Sequence, residues 1–263
     1  MRGVKTIAGL LPLLLALPAL GRPPKIVLDP GHGGAQIGAN SPSGFLEKEL
    51  SLILARKVGA QLQRMLKAQV ILTREDDILL PLQDRVDIAN RNQPDLFVSI
   101  HANSMPTRKL RQQIEGIETF FLSASASTEG ARKTANRENA ESAHEAARQG
   151  GDTLAFILAD LQRAEAHVES SRLAYAVQQR VIAGTGGLDR GVQQAPFYVL
   201  AGVEVPAILL EVGFISHPEE GKKLEDSVYQ DKLAVAVAEG IRNFLQQVEG
   251  KESRGPAAAA SPR

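Results

Sequence analysis

Two periods of apolar residues alternate along this chain. Residues 25–29 (KIVLD) form a short β-branched run closed by Pro30 and glycines, which predicts a buried strand feeding a loop. From Glu47 onward, Leu50, Ile53, Leu54, Val58, Leu62, Met65 and Leu66 recur at three- and four-residue steps, so a helix with one core-facing stripe is predicted there. Residues 70–73 predict a second strand, 82–92 a helix with Val86 and Ala89 inward, and 96–100 a third strand. Residues 117–122 continue the sheet, and 197–200 and 207–212 predict two more strands before a closing helix over 229–248. Strands that alternate with helices, each rich in apolar residues, predict a single α/β domain over residues 25–248. Its six-stranded sheet is expected to be mixed but mostly parallel, with helices on both faces.

Residues 124–170 break this rhythm. They are rich in Ala, Glu, Arg and Ser, carry Gly150-Gly151 as a break, and then place Leu154, Ile157, Leu158 and Leu161 at helical spacing. A helical insertion carried on the sheet domain is predicted. Residues 249–263 are polar, Pro-bearing and simple, so a disordered tail is expected. At the other end, Arg2 and Lys5 precede an apolar run over residues 7–20 interrupted by Pro12 and Pro18, with small residues before Arg22. That layout predicts a secretory signal peptide over residues 1–21, because the run is shorter than the roughly 20 residues of a membrane-spanning helix. An exported, periplasmic or wall-associated protein without a stable membrane anchor is expected, and a monomer.

Composition narrows the chemistry. The 263 residues carry a formal net charge of zero and no long basic run, which argues against a nucleic-acid partner. The chain has no cysteine, so disulfides, thiolate ligands and a cysteine nucleophile are excluded. Any metal must be held by nitrogen and oxygen.

Ligands of open α/β sheets bind where the loops at the carboxyl ends of strands converge. After the first predicted strand comes Asp29-Pro30-Gly31-His32-Gly33-Gly34, after the third His101-Ala102-Asn103, and within the last Glu211. His32 alone reads equally as a turn residue, and His101 as a core histidine with its hydrogen bonds satisfied. Together they suggest a zinc site, which needs three protein ligands and an open position; two histidines and a glutamate are a standard set. Glu47, at the start of the amphipathic helix, is the candidate third ligand; a charge favouring the helix dipole is the alternative. Glu211 follows Pro206-Ala207-Ile208-Leu209-Leu210, so a carboxylate is placed inside an apolar strand. It is either salt-bridged to an arginine or a general base near the metal.

The strings IVLDPGHGG (26–34), EKELSL (47–52), LTR (72–74), RVDIAN (85–90), FVSIHAN (97–103), GIETFFLS (116–123), RGVQQAPFYVL (190–200) and PAILLEVGFISHPEE (206–220), in this order, resemble the zinc-dependent N-acetylmuramoyl-L-alanine amidases. The resemblance implies that His32, Glu47 and His101 bind one Zn2+ ion, and that Glu211 is the catalytic glutamate. It implies hydrolysis of the amide between N-acetylmuramic acid and L-alanine in peptidoglycan, by zinc-assisted attack of water on the lactyl carbonyl. Such activity serves cell-wall remodelling or daughter-cell separation. Asn103 is either a contact to the substrate or the metal ligands, or a turn residue. The 124–170 segment looks like the regulatory helix of cell-division amidases, displaced by an activator protein, with Glu138 and Glu141 as candidates to block the metal or as plain solvated charges. The competing functions are a zinc peptidase acting on stem peptides and a non-catalytic wall-binding protein.

Overall fold

The computed structural model describes residues 22–149 and 164–252. The expected signal peptide, the Leu154–Leu161 stripe and residues 253–263 lie outside the described residues. In chain order the elements are β1 (Lys25–Pro30), α1 (Glu47–Leu66), β2 (Gln69–Leu72), α2 (Leu82–Asn92), β3 (Leu96–Asn103), α3 (Arg108–Arg111) and β4 (Ile117–Leu122). They continue with α4 (Glu129–Gln149), α5 (Ala164–Thr185), β5 (Asp189–Ala195), β6 (Ala207–Phe214), α6 (Pro218–Glu225) and α7 (Ser227–Glu252).

The strands form one six-stranded sheet in the order β2-β1-β3-β6-β4-β5. Every pair is parallel except β4 with β6. Successive strand residues point to opposite faces, and both faces are covered. Ile26, Leu28, Phe121, Ile208 and Leu210 meet the apolar stripes of α1, α5 and α7, including Leu54, Val58, Val177 and Val237. Val27, Phe97, Phe120 and Leu209 meet α2, the first turns of α4 and the 195–203 segment. Burial on both sides explains why β1, β3 and β6 read as continuous apolar runs.

One strand differs from the expectation. Residues 197–200 form a turn, closed by the Ala201 amide donating to the Phe197 carbonyl at 3.2 Å. Phe197, Val199 and Leu200 are buried because they pack flat on the sheet, with the Phe197 and Phe120 ring centroids 5.0 Å apart. The sixth strand is instead β5, which pairs only with β4 and is therefore half-exposed. An edge strand needs no apolar alternation, and its polar sequence DRGVQQA hid it. The region read as an insertion also runs into α5, whose Leu173, Val177 and Val181 belong to the core. Helix α7 continues through Glu252, so the first residues of the expected tail are helical.

Candidate metal centre

The chain leaves β1 through Gly31 and places His32 in the left-handed region at φ 60°, which costs a non-glycine residue about 1–2 kcal/mol. Two buried arginines hold this turn. Arg85 donates to the carbonyls of Pro30 and His32, each at 2.7 Å, and to Asp29 Oδ1 at 2.8 Å. Arg74 donates to the Pro30 carbonyl at 3.0 Å and to the Gly31 carbonyl at 2.8 Å. Asp29 also accepts from Thr73 at 2.5 Å and Ser99 at 2.7 Å. Burial opposes ionisation of Asp29, but Arg85 and these hydroxyls overcome it and hold its pKa below the usual value.

His101 enters from β3, where a register irregularity against β6 follows it. Its ring lies over the Gly31 backbone: a Cβ on Gly31 would stand 2.3 Å from His101 Cε1. Glu47 reaches in from the first turn of α1. Its Oε1 lies 2.9 Å from His32 Nε2 and 3.1 Å from His101 Nδ1. Backbone amides orient the same carboxylate, with Ala102 donating to Oε1 at 3.0 Å and Ala39 to Oε2 at 2.8 Å. The structure thus brings His32, Glu47 and His101 together from three separate elements.

A fourth donor comes from α4. Glu138 Oε2 lies 3.3 Å from His32 Nε2 and 3.0 Å from His101 Nδ1, so the donor atoms of all four residues fall within 4.8 Å of one another. All four side chains are buried. Zinc bound tetrahedrally at about 2.0–2.1 Å would set its ligands about 3.3 Å apart, close to these separations. Two imidazole nitrogens and two carboxylate oxygens are also the donor types zinc takes, so the residues present fit a metal ion. Burial works against charge on His101, yet Glu138 and Glu47 push it up to about 10, and burial likewise opposes a Glu47 carboxylate that His32 and His101 bring down to about 2. The cluster draws positive charge strongly.

Glu211 on β6 is the ladder partner of His101 and is fully buried. Burial, then the negative charge of Glu138, raises its pKa well above the carboxylate range. Arg137 of α4 reaches its Oε1 at 3.3 Å and also donates to Glu138 Oε1 at 2.8 Å. Glu211 Oε2 has no hydrogen-bond partner among the described residues. Both readings of Glu211 therefore coexist, an arginine partner on one oxygen and an unengaged oxygen beside the cluster.

Asn103 is buried and turned toward α4, where its Oδ1 accepts from Arg137 at 3.0 Å and its Nδ2 lies 3.4 Å from Thr134 Oγ1. Of the two insertion glutamates, Glu138 joins the cluster, whereas the side chain of Glu141 lies outside the described residues. Sequence reasoning gave no role to Arg74, Arg85 or Arg137. The first two stand in the LTR and RVDIAN strings, the available signal; Arg137 sits beside Glu138 in a stretch whose apolar side chains are alanines.

Residues 26–243 match the profile of the family described as N-acetylmuramoyl-L-alanine amidase. AmiA of Escherichia coli K12, named an N-acetylmuramoyl-L-alanine amidase, is 34% identical over 231 residues, covering 87% of this chain and 78% of AmiA. The crystal structure of an N-acetylmuramoyl-L-alanine amidase from Clostridium difficile 630 superposes with a TM-score of 0.65 at 28% identity, covering 85% of this chain and 97% of that one. The CwlD amidase from Clostridioides difficile, solved in complex with the GerS lipoprotein, gives a TM-score of 0.63 at 25% identity over 85% of this chain and 99% of CwlD.

Proposed function

The chain belongs to the N-acetylmuramoyl-L-alanine amidase family, and from that premise we propose that His32, Glu47 and His101 hold one zinc ion beside Glu211 to hydrolyse the muramoyl–L-alanine amide of peptidoglycan. The observation that carries this reading is the convergence of three buried donors from β1, α1 and β3 next to a carboxylate with a raised pKa. Zinc bound there would supply Lewis acidity toward the scissile carbonyl.

The protein's own part is proton handling and positioning. Glu211 Oε2 is the atom that takes the proton of the attacking water. Its high proton affinity favours that first transfer, and Glu211 then passes the proton to the departing L-alanine nitrogen, whose greater basicity as a free amine drives the second. Arg74 and Arg85 keep the His32 turn in its strained geometry, so the imidazole is aimed before any ligand arrives.

In this arrangement α4 closes the site. Glu138 takes the fourth donor position and Arg137 engages one oxygen of Glu211, so both reactive features are occupied by one helix turn. We read this as the inhibited state, opened by an activator protein; the GerS-bound relative supports the idea of a protein partner. Export of the chain by residues 1–21 to the periplasm or wall, for wall remodelling or daughter-cell separation, completes the reading. No helix among the described residues is long and apolar enough to cross a membrane.

Mass spectrometry of peptides released from purified peptidoglycan tests the substrate. Free stem peptides beginning with an L-alanine amine are expected. Cleavage between two amino acids would replace the amidase reading with a peptidase, and no cleavage with or without zinc would leave a binding protein.

A further inference from the structure

Beyond Glu211 a row of polar side chains continues across the sheet. His101 on β3 is the ladder partner of Glu211 on β6, and Glu211 is in turn the partner of Glu118 on β4. Opposite Glu118 the β4–β5 register slips, leaving Arg190 and Gly191 against one residue, with Gly191 at φ 82°. Such a bulge re-aims a side chain, and here Arg190 turns back so that its Nε donates to Glu118.

The arginine is held on three sides. Its guanidinium carbon lies 5.2 Å from the centroid of the Phe214 ring. Its stem passes over Gly116, where a Cβ would stand 2.9 Å from Arg190 Cγ and Cδ. Glu118, 3% exposed, fixes Nε, while Arg190 itself remains 31% exposed. Among the described residues, neither Nη1 nor Nη2 makes a hydrogen bond. The outer edge of a planar fork is therefore presented in fixed orientation, the geometry that recognises a second carboxylate in bidentate fashion. An arginine needed only to neutralise Glu118 would require neither the bulge nor the ring beneath it.

We propose that Arg190 reads a carboxylate on the second residue of the substrate's peptide, so that the peptide arm runs from Glu211 across β4 toward β5. This rests on the amidase reading above. Distances agree: an extended peptide advances about 3.3–3.6 Å per residue, which places such a carboxylate about 7 Å past the scissile nitrogen. Two strand spacings of about 4.7–4.9 Å separate the Glu211 and Arg190 backbones, and the arginine's turn toward Glu118 shortens that gap.

The test uses the full chain and two synthetic muramoyl peptides that differ only in a free carboxylate or a carboxamide on the second residue. Wild type is expected to show kcat/KM about tenfold higher for the carboxylate peptide, mostly through KM. Arg190→Gln should bring the ratio to about one. Arg190→Lys, which keeps a charge for Glu118 but loses the fork, should give a ratio between the two. Equal efficiency of wild type on both peptides, or an unchanged ratio in Arg190→Gln, would overturn the inference while the amidase reading stood. Because the wild-type ratio decides by itself, poor folding of a variant does not protect the proposal. Cleavage at another bond in both peptides would overturn both readings.

Discussion

Glu138 and His101 meet at 3.0 Å, although one belongs to α4 and the other to the central strand β3. If that contact closes the site, Glu138→Ala should raise hydrolysis of purified wall by roughly tenfold, the scale of coupling free energies of about 1–3 kcal/mol. Arg137→Ala should act in the same direction, since it releases Glu211. Dye release from labelled peptidoglycan measures both, and unchanged rates would contradict the closed-state account.

Glu211→Gln keeps the shape of the side chain and removes its basicity. We expect a loss of about 10²–10⁴-fold in kcat with metal content preserved, measured by peptide release alongside elemental analysis. A variant with normal turnover would remove Glu211 from the reaction.

Gly31→Ala tests how tightly the turn is fitted. The new methyl would stand 2.3–2.6 Å from three atoms of the His101 ring, so the imidazole must move. Metal affinity is expected to fall by about 10–100-fold, as when groups that orient a ligand are lost, and competition with a chelator reads it directly.

Asp29→Asn addresses the base of the site. Removing one partner of a buried ion pair costs about 3–5 kcal/mol, and here it leaves Arg85 without its carboxylate. The sign with pH follows from the lowered pKa of Asp29: its contribution is fully present above the ordinary aspartate value of 3.8 and is lost as pH falls through the lower folded value. The stability gap between wild type and variant, from denaturant unfolding, should therefore be constant near neutrality and shrink in acid.

Much of this arrangement is legible in the sequence. The stripe from Leu50 to Leu66 predicted α1, and the apolar runs before His32, His101 and around Glu211 predicted the three strands whose ends converge. Strand direction and loop position then implied that the two histidines would meet. Glu47 was ambiguous because a helix-start carboxylate serves the dipole equally well; only the fold shows its oxygen between the two imidazoles. Phe197 misled because aromatic and β-branched residues bury themselves in a turn as readily as in a strand. Arg190 was hidden for the opposite reason, lying on a polar edge strand whose pairing depends on β4. The contacts of Arg137 come from a helix whose apolar side chains are alanines, and so weak a periodicity does not reveal which turn descends into a cleft.

The central claim is that His32, Glu47 and His101 share one ion. X-ray absorption and elemental analysis of the purified full chain measure it most directly. The account predicts about one equivalent of zinc in a nitrogen and oxygen shell that includes two imidazoles, and loss of that zinc in a His32→Ala, His101→Ala double variant that remains folded. Zinc retained unchanged by that variant, or a folded wild type that binds none when zinc is supplied, would contradict it.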